Sequence, residues 1–185
     1  MKTILGIDPG TNILGFGVIR TEGSKAFYVE MGVIDMRKES DPYAKLTRIF
    51  NEIGEICDKY SPDEMALESP FYGKNAQVIL KLGRAQGAAT LAASTRGIPI
   101  TEYAPRKAKE AVTGNGAASK VQVNVILQRI LGIDIEEKFL DATDALAIAL
   151  CHHYQLLNPL AGLKSGSSWE KFIADNPGRV KSSSK

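Results

Sequence analysis

Short apolar runs bounded by turn formers come first in this chain, and longer stretches with apolar residues at helical spacing follow. Residues 2–8 carry Ile4-Leu5-Gly6-Ile7 and end on Asp8, which predicts a buried strand. Residues 12–20 and 26–36 predict two further strands joined by a turn at Glu22-Gly23-Ser24, so the first three strands form an antiparallel meander. Pro42 opens a helix with the stripe Leu46, Ile49, Phe50, Ile53 and Ile56-Cys57, ending near Tyr60-Ser61-Pro62. Residues 64–69 predict a strand. Asn75 begins a long helix to about Arg96, whose Gly83 and Gly87 permit close packing. Gly97-Ile98-Pro99 leads into a strand through Tyr103. Helices are expected near 106–112 and 119–131, the second opened by a Ser119/Gln122 capping box, and a last one from about Asp141 to Tyr154. This order predicts an α/β fold with a mixed five-stranded sheet flanked by helices.

Composition narrows the class. With 185 residues, 44% of them hydrophobic, the chain can bury one good core. We expect one domain over 1–157 and a flexible C-terminal tail over 158–185, marked by Leu163-Lys164-Ser165-Gly166-Ser167-Ser168 and a basic end. Trp169 lies in that tail, where it either docks back or anchors a partner. No run of about 18 apolar residues suggests a membrane span, and Asp8 interrupts the first apolar run too early for a signal peptide. Cys57 and Cys151 read as reduced core thiols, so a cytoplasmic location is expected.

The net charge of +2 conceals an uneven distribution. Residues 71–130 hold nine Lys/Arg against two Asp/Glu, while 1–70 hold eight against twelve. A basic middle beside acidic flanks suits a polyanion gripped on one side and cut on the other.

Four carboxylates supply the candidate chemistry. Asp8 and Glu68 each end a predicted strand, and Asp141 and Asp144 are three apart where a helical pattern begins, so they share a face. Three elements that each place a carboxylate at an end can converge on one point. Hard oxygen ligands suit Mg²⁺, with Mn²⁺ able to substitute, and such sites serve phosphodiester chemistry. Each residue also has a plainer reading. Asp8 before Pro9-Gly10-Thr11 opens a turn, Glu68 is a solvated strand end, and Asp141 and Asp144 cap a helix. His152, eleven residues past Asp141 and so about 16 Å along a helix, is too far to join them, and with His153 reads as a helix-end residue.

At Gly6-Ile7-Asp8-Pro9-Gly10-Thr11, Glu68 with Phe71, Asn75 with Leu80-Lys81-Leu82-Gly83, Glu102-Tyr103-Ala104, Lys109, Lys120 and Asp141-x-x-Asp144-Ala145-Leu146-Ala147, the chain resembles the RuvC Holliday-junction resolvases of the ribonuclease H-like/retroviral-integrase superfamily. The resemblance covers about residues 2–156. It implies a ribonuclease H-like fold and a homodimeric, metal-dependent endodeoxyribonuclease. That enzyme resolves four-way DNA junctions by paired nicks, leaving 5′-phosphate and 3′-hydroxyl ends, in recombination and repair. On this resemblance Asp8, Glu68, Asp141 and Asp144 hold two metal ions. Lys109 and Lys120 lie at the scissile strand, Phe71 stacks on unpaired bases, and RuvA and RuvB are partners. Two departures bear on the DNA grip: Gly83-Arg84-Ala85-Gln86-Gly87 exchanges the expected Gln and Arg, and Ser69-Pro70 replaces a less rigid pair.

Other classes fit less well. A phosphate-loop module of the actin/Hsp70 kind needs two related domains, and this chain shows no second loop. Smaller putative resolvases that process RNA remain relatives by superfamily, and a non-catalytic DNA-binding module would be hindered by four carboxylates. Plainer readings persist too: surface lysines are merely solvated, Phe71 is core, and Asn115-Gly116 is either a mobile loop near DNA or an ordinary turn.

Overall fold

The computed structural model describes residues 1–69, 75–135 and 140–158. Strands β1 (Lys2–Asp8), β2 (Ile13–Glu22) and β3 (Lys25–Asp35) form the expected antiparallel meander, and Gly23 turns the tip with a φ of 57°. Helix α1 (Pro42–Tyr60) then carries the chain across, and β4 (Glu64–Glu68) returns parallel to β1. Helix α2 (Ala76–Ser94) leads to β5 (Ile100–Tyr103), parallel to β4. The sheet order β3-β2-β1-β4-β5 puts β1 at its centre. Helices α3 (Pro105–Thr113), α4 (Lys120–Leu131) and α5 (Leu140–Leu157) complete the element order. The expected mixed five-stranded α/β sheet is present.

Local chemistry explains the helix starts. The Asp41 carboxylate accepts from the Tyr43 and Ala44 N–H groups, each at 3.1 Å, and Pro42 occupies the first turn, where a missing N–H costs nothing. Asn75 caps α2 in the same way. The capping box of α4 is formed: Ser119 Oγ accepts from the Gln122 N–H at 3.3 Å, and Gln122 Oε1 accepts from the Ser119 N–H at 2.9 Å. Asn115 accepts the Ala117 N–H at 2.9 Å, so the Asn115-Gly116 segment is an ordinary side-chain-closed turn.

Strand alternation sorts the core into two layers. Leu5, Ile7, Val18, Met65 and Leu67 pack against Ile49, Ile53, Ala85 and Ala89 of α1 and α2. Ile4, Ile19, Ala66 and Tyr103 pack on the other face against Leu146, Ile148 and Leu150 of α5, with Val112 and Leu127 behind them. Burying each large aliphatic side chain contributes roughly 1.5–3 kcal/mol. Cys57 and Cys151 are free, buried thiols, as expected.

Helix α5 lies unusually close to the central strands. A Cβ on Gly6 would stand 2.0 Å from the Ala145 carbonyl oxygen, and one on Gly17 would meet Leu146 at 2.7 Å. Only glycine at both places lets the helix seat there. Among the described residues no helix is long and apolar enough to cross a membrane. The proposed 158–185 tail, Trp169 included, lies outside the described residues apart from Asn158.

Candidate active site

The parallel register pairs Ile7 with Leu67, so Asp8 and Glu68 leave the C-terminal ends of neighbouring strands. Alternation turns both toward the face that α5 covers, because Leu5, Ile7, Met65 and Leu67 fill the opposite layer. The close seat of α5 on Gly6 brings its first turns to the same end. Asp144 is thereby delivered to the two strand carboxylates. Asp141 belongs to the first turn of α5, and its side chain lies outside the described residues.

Electrostatics show how closely these groups face one another. Burial pushes the Glu68 carboxyl up to about 8, and the charges of Asp8 and Asp144 push in the same direction. Lys109 from α3 and Lys120 from α4 pull the other way. Lys120 Nζ also pairs with Asp144 Oδ2 at 2.8 Å. Five side chains from five elements therefore share one electrostatic neighbourhood, and sequence reading had singled out every one of them. Phe71 falls outside the described residues.

Among the described residues, which exclude the Asp141 side chain, no three His, Cys, Asp or Glu groups already form a closed metal cage. The donors nonetheless fit a hard divalent cation. All are carboxylate oxygens, and Glu68 retains a proton where two negative charges face a buried third. A cation among them would offset the repulsion from Asp8 and Asp144 that adds to the effect of burial.

Two supporting contacts escaped the sequence reading. Glu102 accepts from the Gln86 side-chain amide at 2.9 Å and from the Ser69 hydroxyl at 3.3 Å, which anchors the residue after Glu68 to β5 and α2. At the other end of the sheet, away from the carboxylates as expected, His152 lies near the end of α5 and is buried. Its Nε2 lies 2.8 Å from Glu64 and its Nδ1 2.7 Å from the Tyr103 hydroxyl, and Lys2 reaches Glu64 from the other side at 2.5 Å. His153 is buried too. The wholly apolar run Ala145 to Cys151 was the available signal, since a histidine that follows it on a helix buried all round stays inside.

The chain is similar to known proteins over nearly its whole length. The family model described as crossover junction endodeoxyribonuclease RuvC matches residues 4–152. A RuvC from Bacteroides fragilis is 54% identical over 182 residues, covering 97% of this chain and 96% of that one. A RuvC from Porphyromonas gingivalis is 48% identical over 186 residues, covering 97% of each. The solved structure of T. thermophilus RuvC in complex with a Holliday junction substrate superposes with a TM-score of 0.79 at 31% identity, over 85% of this chain and 96% of that one. With family model, near full-length relatives and fold in agreement, the chain belongs to the RuvC family of crossover junction endodeoxyribonucleases.

Proposed function

We propose that the chain resolves four-way DNA junctions by paired nicks on strands of like polarity, leaving 5′-phosphate and 3′-hydroxyl ends, in recombination and repair. The observation that carries this reading is the single neighbourhood of Glu68, Asp8, Asp144, Lys109 and Lys120 at the C-terminal end of the parallel strands. The RuvC family is a metal-dependent nuclease family, and the all-carboxylate donor set suits Mg²⁺ best, with Mn²⁺ as substitute. When bound, two such ions supply an activated water and neutralise charge on the departing 3′ oxygen.

Asp8, on the central strand, would be the ligand common to both ions. Glu68 would complete one coordination sphere, and Asp141 with Asp144 the other. Lys120, which pairs with Asp144 at 2.8 Å, would also lend its charge to a strand phosphate. Lys109 holds a second phosphate, and Phe71 stacks on bases unpaired at the crossover.

A junction presents two related cut sites, and a two-fold homodimer supplies two active sites. Helix α2 supports such an assembly. Leu80 and Leu91 are exposed on it, and a Cβ on Gly83 or Gly87 would meet nothing within 4 Å. The close packing expected of these glycines does not occur among the described residues of one chain, and it suits contact with a second copy. Cytoplasmic residence, the division into 1–157 and 158–185, and cooperation with RuvA and RuvB complete the proposal.

The test is incubation of labelled four-way junctions and matched linear duplex with the protein, in Mg²⁺ or in EDTA. Symmetric nicks in the junction alone, religatable and dependent on Mg²⁺, are expected. Equal cutting of linear duplex, or cutting in EDTA, would refute the reading.

A further inference from the structure

A cleft of about 300 Å³ opens beside the active-site end of β1, between the turn that follows Asp8, the start of α1 and the middle of α2. Its walls carry three cations, Lys45 from α1 and Lys81 with Arg84 from α2, together with Asn12, Ser40 and Tyr43. Among the described residues, no carboxylate lines it. The acids nearest in sequence are engaged elsewhere: Glu39 pairs with Arg48 at 3.6 Å, and Asp41 has both oxygens committed to the N-terminus of α1. Lys45 Nζ donates to Asn12 Oδ1 at 2.7 Å, which ties the post-Asp8 turn to α1 and holds the ammonium at the cleft. Among the described residues, no ion pair is formed by Lys81 or Arg84, whereas Arg48, Lys59 and Arg96 each reach a carboxylate.

Three like charges around one concavity repel unless an anion sits among them. The hydroxyls, the amide and the guanidinium are all donors suited to phosphate oxygens. Helix geometry fixes which residues take part. Arg84 lies on the flank of α2 that faces α1, while Gln86, two residues on, faces β5 and serves Glu102. An arginine at 86 would have placed its charge on Glu102 and not in the cleft.

We propose that this cleft is a second phosphate-binding site, separate from the carboxylate centre, which grips the backbone of a duplex arm beside the cut. It rests on the reading of the chain as a DNA enzyme and extends it. Thr11 and Asn12 stand three and four residues beyond Asp8 on a tight turn, where a Cβ on Gly10 would lie 1.8 Å from the Ile13 carbonyl oxygen. This short turn joins the two sites, so a phosphate held at Lys45, Lys81 and Arg84 would fix where its strand passes Asp8.

The test is junction binding in EDTA as salt is raised, for the wild-type chain, Arg84→Gln and Lys81→Ala. Each lost phosphate contact lowers the slope of log affinity against log salt by about 0.9. Between about 50 and 200 mM salt the wild type should therefore lose about 3.5-fold more affinity than either variant. Both variants should melt at the wild-type temperature, because Lys81 and Arg84 are exposed, so a lowered slope reports the lost contact and not lost folding. Unchanged slopes in both variants, with junction preference intact, would overturn the cleft alone. Equal binding of junction and linear duplex by the wild type would instead overturn the functional reading, and a lowered slope on duplex would still support the cleft.

Discussion

Glu68 joins protonation, metal binding and stability in one side chain. Burial first, and the facing charges of Asp8 and Asp144 second, raise its carboxyl from 4.5 to about 8. The unfolded chain releases that proton at the lower value and the folded, ion-free chain at the higher. This contribution to stability is complete below pH 4.5 and is lost as pH rises toward about 8. In EDTA, the melting temperature of Glu68→Gln should gain on the wild type across that window, and Mg²⁺ should close the gap by stabilising the wild type. A constant difference between the two proteins from acid to alkaline pH would contradict this. Asp8→Asn and Asp144→Asn should each abolish nicking yet leave junction binding intact, since each removes a ligand and also a negative charge near DNA. Gel-shift and cleavage assays on the same preparations separate the two effects. The carboxylates were legible in the sequence because each sits where an apolar pattern stops. The Glu68 shift was not, because it depends on how closely α5 covers the strand ends.

Among the elements, α2 divides its faces most sharply. Ala85, Ala89, Ala92 and Ala93 are buried against the sheet layer, while Leu80 and Leu91 stand 56% and 54% exposed on the opposite side. If a second copy covers that side, Leu80→Glu with Leu91→Glu should yield a folded monomer by sedimentation equilibrium. Its melting temperature should stay close to that of the dissociated wild type, since neither leucine belongs to the core. A dimer that survives both changes would move the interface elsewhere. Helix starts were legible because Asp41, Pro42, Ser119 and Gln122 are local chemical signals acting within one turn. Residue burial in α5 was harder to read. A helix buried on nearly every side shows no stripe, so the burial of its late histidines has no periodic signal.

Across the whole molecule, α5 links two ends of the sheet: carboxylates at its start and the Lys2–Glu64–His152–Tyr103 chain near its finish. Burial lowers the pKa of His152, although Glu64 opposes it. Burial would raise Glu64, but the hydrogen bonds from Lys2 and His152 prevail and lower it. Both depressed values act in one direction. The stability contributed by neutral His152 begins to fall below its unfolded value of 6.5, and that from ionised Glu64 below 4.5. His152→Phe should cost about 1–3 kcal/mol, because it strands the Tyr103 hydroxyl and a Glu64 oxygen, and the loss should shrink in acid. Urea titrations at neutral and acidic pH would measure it, and a pH-independent loss would contradict the linkage. The seat of α5 on Gly6 also bears on how a mutational scan of this chain should be interpreted. A library scored only for nicking would rank Gly6 beside Asp8, although Gly6 offers no group to a metal, a proton or DNA. Any larger residue there lifts the helix, and Asp144 moves away with it. Lost activity would then mark a change of distance rather than a lost reactant, and a functional map drawn from such scores would extend beyond the true site along the contact between helix and strand.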